Sequence, residues 1–315
     1  MEHLMANNGF SSNFSGSWEE AELVIKEVRA ESAADIEAGK ALSEALGRCK
    51  RSRNLANLAR LAKAFHLWQQ RRVSTTWPLY SERINQVKAW ALKEAEVAFR
   101  KNFKSKAAQS RWEVRCVGSE PLEFKIGPFS VRPQFSSGTF SLAYARVLLA
   151  DNLPLDSDWL FHTLEEQAEA FNKAGYKAPL AEGISAESAQ GQELFCQEMF
   201  ADIWTAYKIM LRCRRKGVGD RVPLHDIWAI LAVLRQNSEF TENGSASAFR
   251  EYSRAQFCWD IVRLRRCGGL QRCGLRLNLS TATIGTTKNK EQVFWLDDGV
   301  GSGQYYLSLW FQNKE

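Results

Sequence analysis

The segment from Pro223 to Phe311 constrains the fold more than any other part of the chain. It contains two helical patterns, His225–Leu234 and Tyr252–Arg266, and then two short apolar runs, Gln292–Asp297 and Gln304–Phe311. The second helical pattern ends at a pair of glycines, where helices commonly stop, and a glycine-rich turn joins the two runs. The pattern therefore predicts two helices followed by a strand pair.

This order of elements resembles a winged helix-turn-helix in architecture, although the chain carries no sequence motif of that family. The resemblance implies a domain over residues 220–315 whose second helix can enter the major groove of DNA. Arg254 and Gln256, near the start of that helix, are residue types that hydrogen-bond base edges. The loop with Lys288 and Lys290, or the glycine-rich turn, would form the wing. Five further arginines suit phosphate contact, where charge matters more than sequence: Arg263, Arg265, Arg266, Arg272 and Arg276.

Charge is distributed in blocks along the chain. Residues 48–115 hold seventeen bases against four acids, whereas residues 1–47 hold nine acids against three bases and residues 151–210 eleven against three. A basic block offers a surface to polyanions, and interleaved aromatic side chains can stack on nucleobases. A solvated helix face explains the same bases equally well, and several of the aromatics lie on or near an apolar helical stripe. The bases we single out for phosphate contact are Arg48, Lys50, Arg51, Arg53, Arg71 and Arg72.

Hydrophobic periodicity predicts a mainly α fold with small β elements (α+β). Residues 1–16 are rich in Asn, Ser and Gly and are expected to form a flexible tail. Residues 17–107 are expected to form a helical bundle or coiled coil, because apolar residues recur there at three- and four-residue steps. Residues 108–219 form a mixed α/β middle region, and residues 220–315 the winged-helix-like domain. In the middle region we expect strands at Trp112–Val117 and Leu122–Ile126 and helices at Phe140–Leu149, Asp158–Ala174 and Gln190–Lys216.

Glu123 and Lys125 on a predicted strand, with Glu113 upstream, faintly resemble the acidic-x-lysine signature of restriction-like nucleases. That resemblance implies a divalent metal held by acidic groups and a lysine that stabilises developing phosphate charge. The upstream aspartate of that signature is missing, since no Asp occurs between Asp35 and Asp151. Alternating charges on an exposed strand explain the same three residues more simply.

Other classes of site are not indicated by the sequence. The chain has no phosphate-binding glycine loop of the nucleotide-binding types, and its seven cysteines lack the spacing of a zinc site. We therefore expect no cofactor and no metal. Scattered cysteines, no apolar run of about 18 residues and no secretory pattern at the start favour a cytoplasmic protein without membrane contact.

The function that these patterns favour is a non-catalytic, nucleic-acid-binding subunit of a larger assembly, with DNA as the expected nucleic acid and other protein subunits as partners. Two alternatives stay open at this point. The first is a protein-interaction or scaffold subunit whose arginines are merely solvated, and the second is the metal-dependent nuclease using Glu113, Glu123 and Lys125. An accessory role in antiviral defence or replication fits the overall character of the chain, but no residue specifies it.

Overall fold

The structure is a computed structural model, and it describes residues 16–32, 36–51, 57, 59–64, 77–119, 121–177, 179–283, 285–288, 290–298 and 302–313. Two compact units can be distinguished. The first consists of the described residues up to Ser110 with Pro133–Ser141 and Asp151–Leu160. The second consists of Arg111–Arg132, Leu142–Ala150 and the described residues from Phe161 onward. Residues 1–15 of the expected tail and the predicted site residues Arg53, Arg71 and Arg72 lie outside the described residues.

The N-terminal region is helical, with α1 at Trp18–Ser32, α2 at Ile36–Arg51 and α3 at Trp77–Gln109. Ser17 caps α1, because its Oγ accepts a hydrogen bond from the Glu20 amide (3.1 Å). The helices bury small apolar clusters. One consists of Ile25, Leu42, Ala45, Leu46, Cys49 and Leu61, and another of Ala21, Val24 and Val87.

The expectation of a bundle or coiled coil is therefore corrected to a helical region. In α3, buried side chains follow one another at multiples of four residues: Val87, Ala91, Phe99 and Phe103. A coiled coil requires apolar residues to repeat every 3.5 residues on average. A four-residue step drifts around the helix, so it does not form the straight seam that a partner helix would need.

A five-stranded sheet follows, with β1 at Val114–Ser119, β2 at Leu122–Ile126, β3 at Phe129–Gln134, β4 at Thr139–Tyr144 and β5 at Val147–Pro154. The strands lie in sequence order, β1-β2-β3-β4-β5, and β1 pairs with β2 through a bulge between Cys116 and Gly118. The helix predicted at Phe140–Leu149 is wrong. Burial alternates along β4 with Phe140, Leu142 and Tyr144 inside, which is the period of a strand.

Two helices come next, α4 at Ser157–Ala174 and α5 at Ala189–Arg214. Asp156 Oδ1 accepts from the Trp159 amide (2.9 Å) at the start of α4, and Ser188 Oγ accepts from the Gly191 amide (3.1 Å) at the start of α5. Both helices lie within two residues of the ranges that apolar periodicity predicted.

The C-terminal part consists of β6 at Val222–Pro223, α6 at Leu224–Leu234, α7 at Ser238–Asn243, α8 at Arg254–Arg266, β7 at Gln271–Arg272, β8 at Leu275–Thr281, β9 at Phe294–Asp297 and β10 at Gly303–Asn313. Its sheet has the order β6-β10-β8-β7, and β9 also pairs with β10. One face of β10 is apolar and buried, and there the Phe311 ring lies 4.8 Å from the Trp204 ring of α5.

The winged-helix expectation is wrong. A DNA-reading helix buries one face and presents the other to the groove, but eight of the thirteen residues of α8 are buried. Helices α6 and α8 are separated by α7 and a 3-10 turn at Ala246–Ala248 rather than by a tight turn. The strands form a five-stranded sheet instead of a hairpin wing.

Candidate nucleic-acid interface

The first residue expected to read bases, Arg254, anchors a loop of its own chain. Its guanidinium donates to the carbonyls of Lys290 (2.9 Å), Glu291 (2.6 Å) and Val293, and lies 4.1 Å from the centre of the Phe294 ring. Burial lowers the pKa of this guanidinium. The side chain therefore fixes the segment that leads into β9.

The second expected base reader, Gln256, lies in the interior with only 4% of its surface exposed. Its Nε2 donates to the carbonyl of Phe171 and to Asp260 Oδ1, both at 2.9 Å. Asp260 also accepts from the Tyr252 hydroxyl at 2.7 Å. Burial raises the pKa of Asp260, while the charge of Arg235 opposes that shift. Gln256 belongs to a buried polar network and presents no amide to a ligand.

The remaining arginines of α8 also bind their own chain. Arg263 donates to the carbonyls of Asn172 (3.2 Å) and Ala186 (2.7 Å) and to the Tyr176 hydroxyl (2.5 Å). Arg265 and Arg266 both contact Asp297, the first through its carbonyl and the second through Oδ1 at 3.1 Å. Of these three, only Arg266 has a half-exposed side chain. The arginine cluster that made α8 look like a DNA-binding helix is thus largely structural.

The other predicted bases are dispersed. Arg272 makes a two-pronged pair with Glu193, with both distances at 2.7 Å, and this pair lowers the pKa of Glu193 to about 2. Arg48 lies 3.9 Å from Glu44 on α2, and Arg51 donates to the carbonyl of Gly47. Lys290 and Arg276 are exposed, and the side chains of Lys50 and Lys288 are not among those described.

The three residues of the nuclease alternative have arginine neighbours. Glu113 pairs with Arg115 (2.6 Å) and Glu123 with Arg132 (2.8 Å), while burial lowers the pKa of Lys125. Within the described ranges, no three His, Cys, Asp or Glu side chains come together as a metal site. Both glutamates are therefore members of ion pairs with nearby arginines, as expected for alternating charges along a sheet.

A different surface brings cationic and aromatic groups together: the face of the C-terminal sheet opposite the buried Leu309 and Phe311. Here Trp310 of β10 pairs with Asn278 of β8, and Gln312 pairs with Arg276. On the other side of β10, Val222 pairs with Leu309, which places Arg221 beside Trp310. The Arg221 guanidinium lies 4.9 Å from the centre of the Trp310 ring. We call this surface the outer sheet face, defined by Arg221, Arg276, Asn278, Trp310 and Gln312.

The outer sheet face is connected along the chain to a basic segment, Arg212–Arg221, which begins in the last turn of α5 and which we call the basic loop. Arg212, Arg215 and Lys216 are exposed there, and Arg214 pairs with Asp226. The loop is ordered by its own hydrogen bonds: Asp220 Oδ2 accepts from the Gly217 amide (2.9 Å), and the Tyr207 hydroxyl donates to the Asp220 carbonyl (2.8 Å). The domain boundary predicted between residues 219 and 220 falls inside this segment. The run Arg-Cys-Arg-Arg-Lys at 212–216 was the signal that could have marked it.

No family model, curated protein or solved structure matches the chain. In the part of the chain that the structure describes, every helix is too short or too polar to cross a membrane.

Proposed function

We propose that the protein binds nucleic acid without cleaving it, as a subunit of a larger assembly, and that the outer sheet face and the basic loop hold the strand. The observation that carries the proposal is the composition of this surface. Strands β6, β7, β8 and β10, which are described in full, contain no acidic residue. Arg276 therefore acts on a phosphate backbone without a carboxylate on its own strand, whereas Arg221 precedes β6 and follows Asp220, whose carboxylate accepts from the Gly217 amide.

The half-buried Trp310 favours a single strand over a duplex. An indole on a flat sheet can stack on an unpaired base, whose faces are accessible, but not on the stacked bases of a duplex. The Arg221 guanidinium lies 4.9 Å from the centre of this ring, and Asn278 is the cross-strand partner of Trp310 on β8. The Asn278 amide donates to Gln312 Oε1 (3.2 Å), which holds two amide groups beside the stacking position.

Salt dependence tests the proposal quantitatively. If the five cations Arg212, Arg215, Lys216, Arg221 and Arg276 each neutralise one phosphate, log affinity should fall with log salt at a slope of about −3.5, because each contact on a single strand contributes about 0.7. The dissociation constant should therefore rise about 100-fold between about 50 and 200 mM salt. Fluorescence anisotropy with labelled single-stranded DNA, single-stranded RNA and duplex DNA measures it.

The double variant Arg221→Gln/Arg276→Gln should weaken binding and reduce the slope to about −2, since two contacts are removed. Arg132→Gln/Lys173→Gln, which removes the same charge from other exposed positions, is the matched control and should leave the slope unchanged. Equal effects of the two double variants would refute a role specific to the outer sheet face. If the unmodified protein bound none of the three nucleic acids at about 50 mM salt, the scaffold alternative would replace this proposal.

A further inference from the structure

A cavity of about 250 Å³ opens beside α8, away from the residues that define the outer sheet face. At about 30 Å³ per water molecule it has room for about eight waters, which is the size of a single small ring system. Its lining includes Trp112, Tyr144 and Trp259, together with Arg263 and Arg266. We call it the aromatic cavity. Aromatic walls with a few polar groups are typical of small-ligand sites.

The walls of the aromatic cavity are rigid. The Trp259 indole nitrogen donates to Asn172 Oδ1 at 2.9 Å, and its ring lies 5.2 Å from Tyr144 and 5.1 Å from Phe171. These edge-to-face and tilted contacts fix the ring orientation. Trp259 is only half-buried, so part of its ring stays open to the cavity.

The part of the wall formed by Trp112 is fixed by a glycine. Gly127, in the turn between β2 and β3, has φ +53°, and a Cβ there would overlap the Trp112 ring. The ring can therefore lie directly on the backbone at this point. The Arg111 guanidinium lies 4.7 Å from the ring centre. Trp112 is thus fixed by contacts with a backbone turn and with a cation.

The Tyr144 hydroxyl supplies an unused hydrogen-bonding group. Only 1% of the surface of Tyr144 is exposed, and among the residues that the structure describes none hydrogen-bonds its hydroxyl. Burial raises the pKa of Tyr144, so the group stays protonated and can donate. A buried hydroxyl without a partner costs free energy. A ligand atom that accepts from it would recover that cost.

The charged side chains that line the cavity are Arg263, Arg266 and Glu187, and Glu187 pairs with Arg111 at 3.3 Å. The Arg266 side chain is half-exposed and is positioned by its ion pair with Asp297. The Arg263 guanidinium, in contrast, already donates hydrogen bonds to Asn172, Tyr176 and Ala186. Arg266 can therefore contact an anionic group of a ligand while keeping its own partner. An arginine and flat aromatic walls together select a planar ring that carries an anionic substituent.

We infer that the aromatic cavity binds a nucleotide, with its base against the Trp259 ring, a base acceptor on the Tyr144 hydroxyl, and its phosphate at Arg266. The inference goes beyond the proposed function and does not depend on it. Two kinds of ligand present a base and a phosphate in this way: a free mononucleotide and the terminal nucleotide of a nucleic-acid strand. A competition experiment distinguishes them.

Titration of the full chain with AMP, GMP, CMP and UMP, followed by calorimetry and tryptophan fluorescence, tests the inference. We expect saturable binding of at least one mononucleotide below about 1 mM, weaker binding of the matching nucleoside, and none of ribose 5-phosphate. Tyr144→Phe removes only the hydroxyl and should weaken binding about 10-fold, with an unfolding midpoint at or above that of the parent. Tyr305→Phe, which removes a tyrosine hydroxyl outside the cavity, is the matched control.

Arg266→Gln should weaken mononucleotide binding about 10-fold or more while leaving nucleoside binding unchanged. The Arg221→Gln/Arg276→Gln variant should bind mononucleotides normally even if it loses nucleic acid, which separates this inference from the proposed function. A 5′-phosphorylated oligonucleotide that competes with the mononucleotide would identify a strand end as the source, and lack of competition would identify the free nucleotide. The inference is overturned if no mononucleotide binds, or if Tyr144→Phe binds as tightly as the parent.

Discussion

Replacing Arg263 by methionine tests whether α8 is an internal helix that stabilises the fold or a helix that binds a ligand. The substitution keeps most of the aliphatic side chain, which continues to pack near the Phe195 ring (4.0 Å from the guanidinium). It removes the guanidinium donors from the carbonyls of Asn172 and Ala186 and from the Tyr176 hydroxyl, and it leaves the Ala186 carbonyl only a long hydrogen bond from that hydroxyl (3.4 Å). Hydrogen bonds from a charged group contribute about 1.5–3 kcal/mol each, and buried acceptors without a donor cost about 1–3 kcal/mol.

These contributions are not additive, and the Tyr176 hydroxyl keeps its own hydrogen bond to the carbonyl of Gly191 (2.8 Å). We therefore expect Arg263→Met to lower the free energy of unfolding by about 3–5 kcal/mol. For a unit of this size, that corresponds to a fall of about 10 °C in the midpoint of thermal unfolding. Urea and thermal unfolding followed by circular dichroism measure the change.

Arg276→Met is the matched control. Arg276 is exposed on β8, and within the described part of the chain its side chain has no hydrogen bond or ion pair. This variant should stay within about 0.5 kcal/mol of the parent while weakening nucleic-acid binding. If Arg263→Met also stayed within about 1 kcal/mol, the view of α8 as an internal helix would be wrong. If it unfolded as expected, loss of binding in an Arg263 variant would report unfolding rather than a lost contact.

Three further outcomes are expected. Gly127→Ala should lower the free energy of unfolding by at least about 2 kcal/mol, because it places an alanine in the left-handed backbone region and its Cβ clashes with Trp112. It should also impair mononucleotide binding. Unchanged thermal unfolding would contradict this prediction. Burial lowers the pKa of Lys125, so the charged lysine destabilises the folded state near pH 7. This destabilisation is lost as pH rises through the lowered pKa. The difference in thermal midpoint between the parent and Lys125→Met should therefore shrink from pH 7 to pH 10. Burial raises the pKa of the Cys258 thiol to about 12 and those of Cys49 and Cys196 to about 11. A thiol reagent at pH 8 should therefore react with the exposed thiols of the native protein and leave these three unmodified. Equal reaction rates of buried and exposed thiols would contradict the burial. The protected thiols are Cys258, Cys49 and Cys196, and the reactive ones are Cys116, Cys213 and Cys273.

The β region shows where local pattern misleads. The segment Phe140–Leu149 contains enough apolar residues to suit a helix, yet it forms most of β4 and the start of β5. The turn between these strands, Ala145 and Arg146, has positive φ at both residues (50° and 63°) and contains no Gly or Asn. The usual turn signal was therefore missing. Arg146 is held in this conformation by contacts with Trp295, whose ring centre lies 3.7 Å from its guanidinium, and with Tyr305.

Strand β8 was missed for another reason. Its sequence, Leu-Arg-Leu-Asn-Leu-Ser-Thr, alternates as a half-buried strand should. The arginines before and within it drew the interpretation toward phosphate contact by a helix-based domain. The same alternation places Arg276 and Asn278 on the outer sheet face, so the signal for the candidate site was present in the sequence but was assigned to the wrong architecture.

The sequence by itself determined the long helices α3, α4 and α5, strands β1, β2, β9 and β10, and the position of α8, because apolar period and capping act within a few residues of each other. It did not determine which cations face solvent. The hydrogen-bond partners of Arg263 lie 77–91 residues away along the chain, and those of Arg254 lie 36–39 residues away. The local sequence around an arginine is the same whether its guanidinium binds a carbonyl or a phosphate. Only tertiary packing decided that the arginines of α8 stabilise the fold and that Arg221, Arg276 and Trp310 share a surface, since strand pairing brings residues distant in sequence onto one face.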